Sequence, residues 1–217
     1  SNSSEWTYIH INVLENPDVP FAVNDTFTIK RLEPVVLDVL INDGDPNGDE
    51  LKVHDLYNVP SYLEVEFSED SAYIFITSTY NTFPETRFYY ENAERNTSSG
   101  YYSNRARVQL YVLENPDIPI AIDDSMNATG GITSNFFVLN NDLDPLGDTI
   151  EIFDFSQPGE GMVELLDDHF AYTPEISYNG WDDFSYKFRY KNKPWLYTRE
   201  ARVNVYVEKN PDCPAGA

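Results

Sequence analysis

One cysteine, Cys213, stands in the 217 residues; it has no partner within the chain, so disulfides contribute nothing to stability. Basic residues are scarce: 14 Lys and Arg face 37 Asp and Glu, a formal net charge of −23. Such a surface repels nucleic acid and anionic membranes, which need clustered Lys and Arg, and it attracts cations. No run approaches the about 18–20 consecutive apolar residues of a membrane span, which speaks against insertion. No secretory leader is visible, so the sequence is expected to be mature or excised, with Ser1 to Ser4 partly a cloning remnant. Histidines number three, His10, His54 and His169, and their spacing fits no zinc pattern; each reads as strand or turn surface. A nucleophile elbow and a phosphate-cradling glycine loop are both missing. Carboxylates are too numerous for counting alone to settle a glycosidase-like pair, but nothing points to one, and the chain is read as no enzyme.

What is abundant is aromatic and β-branched. There are 16 Tyr and 13 Phe against two Met, with Val, Ile and Thr common, a mixture suited to half-buried pleated surfaces. Self-similarity then decides the architecture. Leu14-Glu15-Asn16-Pro17-Asp18-Val19-Pro20 recurs as Leu113-Glu114-Asn115-Pro116-Asp117-Ile118-Pro119, and Glu208-Lys209-Asn210-Pro211-Asp212-Cys213-Pro214 closes the chain. Asn16 and Asn115 are 99 residues apart, Asn115 and Asn210 are 95 apart. Ala22 to Asp25 answers to Ala121 to Asp124 at the longer offset, as Asn42 to Asp49 answers to Asn141 to Asp148.

Before each Asn-Pro-Asp motif apolar residues alternate: Ile9, Ile11, Val13; Val108, Leu110, Val112; Val203, Val205, Val207. Period two over that length is a strand with one buried face. Residues 6–13 are therefore read as the last strand of a preceding repeat. Further strands are expected at 27–29, 35–40, 51–56, 63–67, 73–76 and 87–90, then at 136–139, 150–155, 162–165, 170–172 and 184–190. Clusters of Gly, Pro, Asn and Asp separate them. About seven short strands in roughly 95–100 residues indicate a β-sandwich. The expected organisation is a terminal strand and linker over 1–18, one sandwich over 19–117 and a second over 118–217.

These motifs resemble the cadherin-like, immunoglobulin-fold repeats of bacterial surface proteins and adhesins. The second repeat carries nearly the whole pattern: Ala121 to Asp124, Asn141 to Asp148, Tyr172-Thr173-Pro174 and Asn179-Gly180-Trp181-Asp182-Asp183-Phe184-Ser185-Tyr186. The first departs in its second half, where Asn81 to Phe88 replaces the Asn-Gly-x-Asp segment. The resemblance implies an all-β chain of two tandem sandwiches, an extracellular or cell-surface location, and a calcium-stabilised, commonly non-catalytic scaffold.

The acidic loop is the candidate metal site. Asp43, Asp45, Asn47 and Asp49 occupy alternate positions with Gly48 at the sixth, the spacing by which a loop aims oxygens at one ion. Calcium takes 6–8 oxygens at about 2.3–2.6 Å, so the loop alone is insufficient, and His54 stands where an EF-hand would have glutamate. In the second copy Leu146 replaces Asn47. In a sandwich the incoming segment and this loop share one end. One site is therefore expected from Glu114, Asp117, Asp124, Asp142, Asp144 and Asp148 where two repeats meet. Its counterpart at the front combines Glu15, Asp18, Asp25, Asp43, Asp45 and Asp49. Asn24, Asp38 and Asp123 are the alternatives. The competing interpretation is a solvated turn, since Asp and Asn form Asx-turns and Gly accepts positive φ.

Two other features invite interpretation. Sequons at Asn2, Asn24, Asn96 and Asn127 are read as chance. Tyr101, Tyr102, Trp195, Leu196 and Tyr197 precede the final strands, where they are expected either to pack against a neighbouring repeat or to bind a cell-surface glycan or protein. Trp181 is expected to pack or cap locally. The sequence thus favours a stalk or adhesion module with calcium stiffening its joints, and a carbohydrate- or protein-binding module as the alternative.

Overall fold

The computed structural model describes residues 18–79, 83–95 and 100–212. The strand expected at 6–13, Glu15, Cys213 and the sequons at Asn2 and Asn96 lie outside these residues. The described residues form two compact units: one holds residues 18–29 together with those of Val35–Leu113, the other Lys30–Pro34 and residues 114–212.

Alternation of apolar and polar residues gives the first repeat seven strands: β1 (Asp25–Lys30), β2 (Val35–Leu37), β3 (Leu51–Tyr57), β4 (Leu63–Phe67), β5 (Ile74–Ser78), β6 (Glu85–Glu94) and β7 (Ala106–Leu113). They form one sheet in the order β1-β7-β6-β3 and another in the order β2-β5-β4. The second repeat has β8 (Asp124–Thr129), β9 (Ser134–Phe136), β10 (Ile150–Phe155), β11 (Gly161–Leu166), β12 (His169–Pro174), β13 (Gly180–Tyr190) and β14 (Ala201–Glu208). Its sheets run β10-β13-β14-β8 and β11-β12-β9. Both repeats are therefore the immunoglobulin-like, cadherin-like sandwich that the sequence implies.

Each sandwich closes on one apolar core drawn from both sheets. In the first, Ile29, Leu37, Ile74, Ile76, Phe88, Val108 and Leu110 meet; in the second, Phe136, Val163, Phe170, Phe184, Phe188, Val203 and Val205 do so. Phe170 lies edge-on to Phe184 at 5.1 Å between centroids, the offset geometry that aromatic quadrupoles prefer. The expected strand at 136–139 is corrected. β9 ends at Phe136, and Val138–Asn141 form a turn of 3-10 helix. Phe136-Phe137-Val138-Leu139 is uniformly apolar, so it carries no periodicity to separate strand from turn.

The Asn-Pro-Asp motifs are clasps. Asn115 Nδ2 donates to the Arg31 carbonyl at 3.0 Å, and its Oδ1 accepts the Asp117 amide at 3.2 Å. Asn210 repeats this on Gly130 at 2.7 Å and on the Asp212 amide at 3.0 Å. Both asparagines are buried. Each fastens the end of a last strand to the turn after a first strand, satisfying backbone groups that burial would otherwise strand.

Candidate functional site

Of the twelve acids expected at the metal sites, Glu15 lies outside the described residues, and several of the other eleven have local partners. Asp43 and Asp142 work as latches. Asp43 Oδ1 accepts the Val23 amide at 2.8 Å, and Asp142 Oδ1 accepts the Ile122 amide at the same distance, so each ties the incoming segment to its loop. A buried tyrosine hydroxyl completes each latch. Tyr90 Oη lies 2.9 Å from both Asp43 oxygens and 2.8 Å from the Val39 carbonyl. Tyr186 Oη lies 2.9 Å from Asp142 Oδ2, 3.2 Å from the Val138 carbonyl and 3.3 Å from Asp124 Oδ2. Asn92 Nδ2 adds a 2.7 Å bond to Asp43 Oδ2; Phe188 occupies the corresponding position in the second repeat.

Asp25 and Asp124, at the starts of β1 and β8, are buried beside these hydroxyls, and Asp25 Oδ2 has no hydrogen-bond partner. Burial pushes the Asp25 carboxyl up to about 6, with the Tyr90 bond opposing and the Asp43 charge reinforcing. Asp124 also reaches about 6, through burial first and the Asp142 charge next. Burial raises Asp43 and Asp142 too, while their backbone bonds oppose the rise. Both tyrosines are held well above the ordinary phenol range by burial and then by the neighbouring carboxylates. They therefore act as neutral donors.

Asp45 and Asp144 organise the turns. Asp45 Oδ1 accepts the Asn47 amide at 2.8 Å and the Asp49 amide at 3.2 Å. Asp144 Oδ1 accepts those of Leu146 at 3.2 Å and Gly147 at 2.8 Å. Gly48 and Gly147 carry φ of 81° and 64°, the left-handed bend that the spacing anticipated. Glu114 is ion-paired with Arg31.

Among the described residues, the one group of acids close enough to share an ion is Asp18, Asp49 and Glu94, with carboxylate oxygens within 4.8 Å of one another. Asp18 and Asp49 were expected there; Glu94 was not. It is the cross-strand partner of Leu51, two residues after Asp49, a register that the loop's own spacing does not reveal. Partial desolvation, followed by the charges of Asp45, Glu94 and Asp18, raises the Asp49 carboxyl. Asp45 Oδ2 is buried without a hydrogen-bond partner beside this group. Oxygens on a sphere of about 2.4 Å radius lie up to about 4.8 Å apart, so these three carboxylates could chelate one metal ion.

The aromatic side chains also differ from expectation. Leu196 is buried, and Tyr197 meets Phe153 edge-on at 6.0 Å, so much of that loop packs within its own repeat. Tyr102 stacks on His54 at 4.2 Å. Trp181, expected to pack or cap, does pack locally on the outer face of the β10-β13-β14-β8 sheet, yet it stays 66% exposed. Its register partner Tyr206, 40% exposed, meets it edge-on at 5.2 Å.

No curated protein resembles the chain in sequence. Among solved structures, it is similar to an endo-fucoidan hydrolase of glycoside hydrolase family 107 (15% identity, 94% of this chain and 31% of that one, TM-score 0.42). It is also similar to a SusE-like surface located polysaccharide binding protein from the Bacteroides thetaiotaomicron heparin utilisation locus (9% identity, 89% and 34%, TM-score 0.40). A third is human protocadherin-24 EC1-2 (15% identity, 89% and 100%, TM-score 0.36). The chain spans about a third of the first two, and overlaps of this size carry no inference about ligand or activity. No helix among the described residues is long and apolar enough to cross a membrane. Two consecutive sandwiches are a surface-type arrangement, consistent with an extracellular or cell-surface location, and residues 17–100 and 116–192 each match the same model: the chain belongs to the bacterial Ig domain family.

Proposed function

We propose that the chain is a non-catalytic recognition module of a surface protein, binding carbohydrate through aromatic side chains left bare on a sheet face. The observation that carries this reading is Trp181, two-thirds exposed beside Tyr206. The β13–β14–β8 register sets Asn127 beyond Tyr206, and makes Asp183, Asn204 and Ser125 the next outward row. A pyranose ring presents an apolar C–H face to an indole, while its hydroxyls meet amide and carboxylate groups around the ring. The net charge of −23 selects against sulfated or uronate-rich chains and favours uncharged ones. Affinity electrophoresis through gels containing neutral polysaccharides tests the proposal. Retardation of the wild-type chain that Trp181→Ala abolishes is the expected result; unaltered mobility in every neutral glycan counts against it and leaves a protein partner as the alternative.

A second reading concerns the first repeat. Asp18, Asp49 and Glu94 would hold a divalent cation, calcium by their all-oxygen chemistry, which would relieve mutual repulsion and fix the incoming segment against the loop. This supports the stiffening role that the acidic loop suggested. Titration calorimetry with calcium should give binding that Asp49→Asn removes; no heat at millimolar calcium would end this reading.

A further inference from the structure

The two repeats share an acidic loop but not the charge balance around it. In the first, the cross-strand partner of Leu51 is Glu94, whose carboxylate joins those of Asp18 and Asp49. In the second, the equivalent partner of Ile150 is Tyr190. Its hydroxyl bonds to Asp144 and accepts the Leu146 amide at 3.3 Å. Asp148, the counterpart of Asp49, is met by Lys193 Nζ at 3.4 Å and by Asn192 Nδ2 at 3.2 Å. Lys193 lines the same cavity as Asp117, the counterpart of Asp18. In the first repeat the residue after Glu94 is Arg95, which engages Asp70 at 3.1 Å and Glu50 at 3.8 Å. Three acids in one repeat thus correspond to two acids, a neutral phenol and an ammonium in the other.

We propose that Lys193 is a tethered counter-ion that takes, in the second repeat, the part a divalent cation takes in the first, so that the chain holds one ion rather than two. The proposal rests on the cation reading of the first repeat. A covalently attached ammonium neutralises Asp148 at any calcium concentration. A divalent ion arriving there would meet a like charge, and it would find a phenol in place of the third carboxylate and Leu146 in place of Asn47. The second sandwich is therefore independent of calcium, while the first responds to it.

Native mass spectrometry of the whole chain in calcium counts the ions, and calorimetric melting of Lys193→Gln in calcium and in chelator tests the lysine separately. The expected results are one ion in the wild type, none in Asp49→Asn and one in Asp148→Asn. Lys193→Gln should lower one melting transition by a few degrees, equally in calcium and in chelator. Two ions in the wild type, one of them lost in Asp148→Asn, would overturn the proposal while leaving the first-repeat site standing. No ion in the wild type ends the cation reading and with it the count of one; an unshifted melt of Lys193→Gln ends the counter-ion role.

Discussion

Buried carboxyls at the starts of β1 and β8 make the stability of this protein fall as pH rises through the weakly acidic range. Asp25 and Asp124 each move from 3.8 to about 6 on folding. A group whose pKa is raised by folding contributes stability that is fully present below its unfolded value, about 4 here, and is lost as pH passes through about 6. A shift of about two units corresponds to roughly 3 kcal/mol at the ceiling, and solvent screening reduces this to about 1–2 kcal/mol per carboxyl. With one such group in each repeat, melting should drop by about 5–10 °C between pH 4.5 and 7 and then level off. Calorimetry in chelator at several pH values gives the slope. The self-repulsion of a chain carrying −23 acts in the same direction, so the double variant Asp25→Asn, Asp124→Asn isolates the local effect. It should flatten the profile and melt higher than the wild type at pH 7. A variant that keeps the full slope, or a wild type more stable at pH 7 than at 4.5, would refute the argument.

Three further predictions concern the frame. Tyr186→Phe removes the hydroxyl shared by Asp142, Asp124 and the Val138 carbonyl, and should cost the second unit about 1–3 kcal/mol in urea denaturation. Phe170→Ala, at a fully buried position touching Phe184, should cost about 3–5 kcal/mol in the same assay. Gly161→Ala should destabilise by about 1–3 kcal/mol, because its Cβ would lie 2.7 Å from the Thr173 carbonyl oxygen and 2.9 Å from the Pro174 Cα, and strand backbone cannot step aside.

Local periodicity made the strands legible, and a recurring motif made the repeats legible. Leu51–Tyr57 and Ile150–Phe155 fall within a residue of where their apolar residues put them. The run at 136–139 failed because four apolar residues in a row contain no phase. At the loop, the turn offered as the competing interpretation is present, while the distant partners of its carboxylates were not legible. Asp43 turns to Tyr90 and Asp142 to Tyr186, partners 47 and 44 positions away whose arrival depends on which strand lies beside which. Glu94 was missed for the same reason: nothing near it in sequence is acidic loop, and only the β3–β6 register brings it to Asp49.

The asparagine clasps bear on how such chains are cut and recombined. Asn115 and Asn210 complete a fold begun some 80 residues upstream, yet each stands within the motif that heralds whatever sequence comes next. A repeat excised before its Asn-Pro-Asp triplet leaves the Arg31 or Gly130 carbonyl open, whereas one joined to a segment that begins with the triplet regains the clasp, because the same three residues follow each last strand. Each sandwich thus takes its final fastening from residues that belong equally to the joint, and a repeat expressed alone must carry the triplet at its C-terminal end.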